Sequence, residues 1–210
     1  MTNVDLGSMY RASRQRITAL VTAADANVEL IVPSTPEWRV RDVVAHLSGI
    51  ASDAMTGNME GAPGEVWTAA QVDRARDQSL ADLLADWAKF GETFESFLSS
   101  PDGAVAGSAV MDALTHEADI RHAWEMSFEL PDDFVGWAAG RLRDRFDTAV
   151  AEAGLPPVSI KAPDAELFRA HLGRRTAAQV REYEWSADPT PYLDAFFFFG
   201  PTEQASGEHL

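Results

Sequence analysis

The chain has 210 residues, 46% of them apolar and 24% charged, which is enough for one good core or a main domain with a small appendage and argues against disorder. Its 33 acids against 17 bases give a formal net charge of −16, which repels polyanions at long range and argues against nucleic acid and anionic membrane surfaces as partners. Cysteine is absent, so there is no disulfide, no cysteine-ligated zinc and no protein thiol, and any soft-nucleophile chemistry has to bring its sulfur from outside as a thiol cofactor.

Met1 to about Asn27 reads as an amphipathic helix, with Val4, Tyr10, Ile17, Leu20 and Val21 near one stripe. Pro33-Ser-Thr-Pro-Glu-Trp38 reads as a breaker followed by a helix start, with Pro36 near the first turn and Glu37 suiting the positive end of the helix. Val40, Val43, Val44, Leu47 and Ile50 continue that helix to about Met55, and His46 lies beside the apolar stripe. Gly57 to Gly64 is loop. A third helix, from about Ala69 or Ser79 to Leu98, carries Leu80, Leu83, Leu84, Trp87, Phe90, Phe94 and Phe97 at three- to four-residue spacing. Ser99-Ser-Pro-Asp-Gly103 ends it, and a fourth helix follows from about Val110 to Phe128. Pro131 starts another, with Phe134, Trp137, Leu142 and Phe146 on its core side, ending at Gly154-Leu-Pro-Pro157. Helix upon helix with short connections predicts a bundle.

The composition changes after Pro157. Val158-Ser-Ile-Lys-Ala162 alternates like a short strand, a short helix covers about Ala165 to Leu172, and another follows the turn Gly173-Arg-Arg-Thr176 and runs to about Trp185. The expected organisation is a helical bundle over 1–156, a small C-terminal α/β subdomain over 157–201 and a polar tail over 202–210. The run Phe196 to Phe199 is most simply core, and exposure of several of its rings would instead point to a homodimer contact. No apolar run approaches the ~20 residues that span a bilayer, and the N-terminus lacks a basic region followed by an apolar one, so a cytoplasmic protein is expected.

Asp112 and His116 stand four residues apart, so a helix carries both on one face, about 40° apart around its axis. A third ligand from another helix would complete an open three-ligand metal site, and His46 is the candidate. The bland alternatives are an i,i+4 pair on an exposed helix and a hydrogen-bonded core histidine. Asp119 lies one turn beyond His116, where it could accept the second ring N–H of a ligating histidine, or pair with Arg39, Arg41 or Arg121. Arg169, Arg174 and Arg175 form a basic cluster suited to carboxylates of a substrate or thiol cofactor, or to tying the C-terminal segment to the acidic protein.

Four stretches carry a resemblance. Pro36-Glu-Trp38-Arg-Val-Arg-Asp42-Val-Val-Ala-His46-Leu resembles the second-helix signature of the mycothiol-dependent maleylpyruvate isomerase family, one of the DinB-like metal-binding bundles. Trp67-Thr-Ala-Ala-Gln71-Val-Asp73 is similar to the loop and helix start that follow in that family, and Asp112-Ala-Leu-Thr-His116-Glu-Ala-Asp119-Ile-Arg121 to its metal helix. Phe168-Arg-Ala-His-Leu-Gly173-Arg-Arg-Thr-Ala-Ala-Gln179-Val, with Trp185 and Asp188-Pro, is similar to its C-terminal segment. The resemblance implies a mainly α, DinB-like four-helix bundle with a small C-terminal α/β subdomain. It also implies a divalent metal, zinc first, held by His46, Asp112 and His116. Asp112 stands where the family's isomerase pattern has glutamate, a ligand one methylene longer.

The implied activity uses mycothiol or another low-molecular-weight thiol as nucleophile toward a small organic-acid substrate. Maleylpyruvate isomerase-like cis-trans isomerisation by thiolate addition and elimination is the leading expectation. A thiol S-transferase, a metal-dependent hydrolase of the same fold, and a non-catalytic metal or small-molecule binding module are the alternatives that the residues leave open.

Overall fold

The computed structural model describes residues 4–205 and Gly207. The expected start of the first helix at Met1, and the end of the polar tail with His209, lie outside the described residues. The fold is mostly helical, with two small two-stranded sheets, in keeping with a DinB-like helical fold. The chain divides into two compact units, Asp5–Met126 and the described residues from Ser127 onward together with Val4.

The first unit contains α1 (Leu6–Val21), β1 (Ile31–Val32), β2 (Thr35–Arg39), α2 (Val40–Thr56), α3 (Glu65–Arg74), α4 (Leu80–Leu98) and α5 (Gly107–Ala123). Four of these helices form a closed ring: α1 packs on α4 and α5, and α2 packs on the same two from the other side. Their apolar stripes meet in a core that includes Tyr10, Ile17, Val43, Val44, Leu47, Leu83, Trp87, Phe94, Val110 and Leu114, all buried. Tyr10 packs edge-on against Phe94, with ring centroids 5.2 Å apart, and its hydroxyl oxygen accepts the Trp87 indole N–H at 2.9 Å.

Local chemistry sets the ends of these helices. The Asp5 carboxylate caps α1 by accepting the Ser8 N–H at 3.1 Å, and hydrogen bonds from Ser99 and Ser8 hold its pKa down to about 2. Ser79 caps α4 through the Asp82 N–H, which separates α4 from α3. The stretch from Ala69 to Leu98 is therefore not one helix: Ala69 lies in α3, and the helix that ends at Leu98 starts after Ser79. Pro33-Ser34 does not break into a helix start. It forms the turn of a hairpin between β1 and β2, which places Trp38 on a strand, and α2 begins only at Val40, with Asp42 accepting the Arg39 N–H at 2.9 Å. Both strands of a two-stranded ribbon are edges, where a proline is tolerated, so Pro36 sits on β2 without ruling the strand out. Gly57, with φ of 80°, closes α2 in the left-handed conformation that a side chain would strain.

Buried acids tie the ring together. Glu95 on α4 accepts from Arg11 at 2.8 Å and Arg14 at 2.7 Å, both on α1. Glu117 on α5, wholly buried, accepts a two-pronged contact from Arg16 at 2.7 Å and the Ser13 hydroxyl at 2.8 Å, also from α1. Arg121 reaches the same carboxylate from one turn along α5. The basic spacing of α1 is thus matched to two interior carboxylates.

The second unit contains α6 (Asp132–Glu152), β3 (Ile160–Lys161), α7 (Asp164–His171), α8 (Ala177–Arg181), β4 (Glu184–Trp185) and α9 (Leu193–Phe196). Helix α6 packs on α7 and α9, and β3 pairs antiparallel with β4. Phe146, Val150, Leu167, Ala170, Val180, Tyr192, Phe196 and Phe197 share its core, while Phe198 and Phe199 at the end of the aromatic run are exposed. Among the described residues no helix is long and apolar enough to cross a membrane.

His171 lies in this core, its ring stacked on Phe196 with centroids 4.0 Å apart and its Nδ1 2.7 Å from the Phe196 carbonyl oxygen. Burial, joined by the charges of Arg145 and Arg143, lowers its pKa from 6.5 to about 4. The unfolded chain therefore takes up this proton first as pH falls, and stability drops between pH 6.5 and about pH 4. The loss reaches about 3 kcal/mol at the acid end, because each tenfold difference in proton affinity between the folded and unfolded chain is worth about 1.4 kcal/mol. Denaturant unfolding across this range will show a shallower acid decline in His171→Gln than in the wild type.

Candidate metal centre

Helix α5 buries an unusual set of residues for a bundle helix. Alongside Val110, Leu114 and Ile120 it buries Thr115, His116, Glu117 and Asp119. Buried polar groups demand partners. Glu117 finds them on α1, as described. His116 and Asp112 point instead to a cluster with His46 of α2. One donor atom from each of His46, Asp112 and His116 lies within 4.8 Å of the others.

The arrangement is asymmetric. His46 Nε2 stands 3.0 Å from Asp112 Oδ2, and His116 Nε2 stands 3.6 Å from Asp112 Oδ1. Both imidazoles are 4% exposed, whereas the Asp112 side chain keeps 26% exposure, so the carboxylate forms the solvent-reaching edge of the cluster. The Trp38 ring covers both imidazoles, with centroids 5.1 Å from His46 and 6.0 Å from His116. Tyr10 is charge-coupled to Asp112. Burial raises its pKa well above the ordinary phenol value and the Asp112 charge adds to that, so it stays a neutral phenol at physiological pH.

Around each imidazole the second nitrogen faces an acceptor. His46 Nδ1 lies 2.7 Å from Gln71 Oε1 on α3. An amide oxygen only accepts, so Nδ1 carries the hydrogen and the Nε2 lone pair turns toward Asp112. Two acceptor atoms 3.0 Å apart repel unless a proton or a metal cation lies between them, and a divalent ion taking the place of that proton fits the residues. The two spacings between Asp112 and the imidazoles fit as well. Bonds of about 2.0–2.2 Å in a tetrahedral site put donor atoms roughly 3.4 Å apart. Two neutral imidazoles and one carboxylate make a donor set suited to zinc and neighbouring divalent ions, with coordination positions left open. His116 Nδ1 lies 3.0 Å from Asp119 Oδ2, an ion-pair distance that is not aligned as a hydrogen bond.

The structure thus brings together His46, Asp112, His116 and Asp119, which sequence spacing had singled out. The three arginines belong to the second unit. Arg175 makes a two-pronged contact with Glu166 at 2.7 and 2.6 Å, and Arg174 donates to the Leu172 carbonyl at 2.6 Å. Arg169 is wholly buried. Burial pushes the Glu166 carboxyl up, but hydrogen bonds from Arg175 and Tyr183 outweigh it and hold the group below its ordinary pKa. Sequence reasoning did not pair Gln71 with Asp53 behind His46. The signal for it was weak: Asp53 falls on the same helix face as His46, seven residues on, inside a helix that buries most of that face.

A family model described as the mycothiol maleylpyruvate isomerase N-terminal domain matches residues 10–144, which include all of the cluster and both of its carrier helices. No curated protein and no solved structure matches the chain.

Proposed function

The chain belongs to the family of the mycothiol maleylpyruvate isomerase N-terminal domain, and from that premise we propose that it is a metal- and thiol-dependent enzyme acting on a small electrophilic acid. The observation that carries the reading is the convergence of two buried imidazoles, His46 and His116, with the partly exposed carboxylate of Asp112. The proposed thiol is mycothiol, and the proposed reaction is cis-trans isomerisation of an unsaturated dicarbonyl acid by addition and elimination of the thiol. A bound divalent cation, zinc first, supplies the positive charge that keeps a thiol sulfur ionised near neutral pH.

The chain's own residues supply the rest. His46 and His116 offer neutral nitrogen donors from two helices, fixed by packing rather than by loops. Asp112 offers an oxygen donor and offsets one unit of the metal's charge. Trp38 shields the imidazoles from water on one side, and Asp119 sets a carboxyl oxygen 3.0 Å from the outer nitrogen of His116. No residue here can serve as a protein thiol, since cysteine is absent, which supports an imported sulfur nucleophile.

Turnover of maleylpyruvate by the zinc-loaded protein, followed with and without mycothiol, tests this reading. Activity that appears only with the thiol is the expected result. Equal turnover without any thiol would point to the hydrolase, and no turnover in either case to a binding module.

A further inference from the structure

The outer face of His46 is held by more than one hydrogen bond. On α2, His46 and Asp53 are seven residues apart and so lie about 20° apart around the helix, some 10 Å along its axis. Gln71 of α3 spans that gap. Its Oε1 meets His46 Nδ1 at 2.7 Å and its Nε2 donates to Asp53 Oδ2 at 2.9 Å. Asp53 is itself anchored: Arg74 Nη2 donates to both carboxylate oxygens at 2.8 Å, and Asn58 Nδ2 donates to Oδ1 at 2.9 Å. His46, Gln71 and Asp53 are 4%, 1% and 3% exposed, so water does not compete for these bonds.

We infer that Gln71 is a positioning residue, which fixes the tautomer and direction of the ligand His46, with the Asp53–Arg74 pair fixing the orientation of Gln71 in turn. The inference rests on the reading of His46 as a metal ligand. Its logic is the order of donors and acceptors. A carboxylate only accepts, so Asp53 turns the amide NH2 toward itself and leaves Oε1 for the imidazole. Oε1 only accepts, so His46 carries its hydrogen on Nδ1 and aims the Nε2 lone pair at the cluster with Asp112 and His116. Reversing any link reverses the next.

Packing enforces the same geometry. Gly49 lies between His46 and Asp53 on α2, and a Cβ built there would sit 2.7 Å from both Cβ and Cγ of Gln71. Helix α3 approaches α2 too closely for any side chain at that position. Glycine inside a helix is less favourable than alanine, so Gly49 forgoes helix stability for this approach.

Zinc affinity and the visible absorption of the cobalt(II)-loaded protein test the relay. Gln71→Leu should weaken zinc binding about 10–100-fold and alter the cobalt spectrum, as the loss of an outer partner of a ligating histidine does. Gly49→Ala should weaken binding in the same direction, although alanine favours the helix. Gln71→Glu sets two carboxylates against each other and should also weaken binding, whereas Gln71→Glu with Asp53→Asn restores the donor order and should return the affinity to near the wild-type value. Unchanged affinity and an unchanged cobalt spectrum in Gln71→Leu would overturn the inference. If that variant does not fold, unchanged affinity and spectrum in Gly49→Ala would do the same, as would a double variant no tighter than Gln71→Glu alone. Wild-type protein that binds no zinc, or zinc that survives His116→Ala, would instead defeat the ligand reading, and the two failures are told apart by these controls.

Discussion

His116→Ala should leave the protein folded and nearly free of zinc, with affinity lowered at least about 100-fold. Losing an outer partner of a ligating histidine typically costs 10–100-fold, and His116 is one of only three donors in the cluster. Alanine is the best helix former and the site lies within α5, so helix formation is not at risk. His46→Ala should behave alike from the other helix. Asp112→Glu should retain metal, because the aspartate oxygens already stand 3.0 and 3.6 Å from the two imidazoles and the carboxylate has room at the exposed edge. Metal content by elemental analysis after purification and dialysis checks all three. Thiol-stimulated turnover should fall with metal content and not independently of it.

The neighbouring residue should give the opposite phenotype. Glu117→Ala should cost the fold about 3 kcal/mol, at the lower end of the 3–5 kcal/mol typical of breaking a buried ion pair, because Arg16 keeps 35% exposure and regains some hydration. The cost arises because Arg121, at 15% exposure, loses this carboxylate inside the α1–α5 contact and the Ser13 hydroxyl keeps only its longer contact with the Ala113 carbonyl, at 3.3 Å, of the two it makes there. Glu117→Gln, which keeps shape and one acceptor, should cost roughly half as much. Protein that folds should still bind one metal ion per chain, since Glu117 faces α1 and not the cluster. Denaturant midpoints beside zinc stoichiometry separate the two roles. Successive positions on α5 thus serve chemistry and stability.

Much of this was legible in the chain itself. Apolar spacing marks α1, α2 and α4, and the Asp112/His116 interval of α5 reads as one helix face whatever the tertiary structure. What periodicity could not supply was the partner of each stripe. The pattern of α6 says that it packs, but not that it packs on α7 and α9. Pro33-Ser34 satisfies the rules for both a breaker and a two-residue hairpin turn, and only the pairing of Val32 with Thr35 decides between them. Trp38 therefore reaches both imidazoles from a strand rather than from the start of α2. Gln71 and Asp53 were invisible as a pair because their contact is long-range and their types are common on helix surfaces. The clue was burial, which a single sequence does not display.

The proposed function stands on His46, Asp112 and His116 holding a divalent metal that takes a thiol as its partner. Titrating mycothiol into the cobalt(II)-loaded protein, and reading sulfur-to-metal charge-transfer absorption, tests it most directly. A new band that saturates at one thiol per chain and is absent in His116→Ala is the expected result. A cobalt-loaded protein whose spectrum does not respond to the thiol, or a band that persists in His116→Ala, would contradict it.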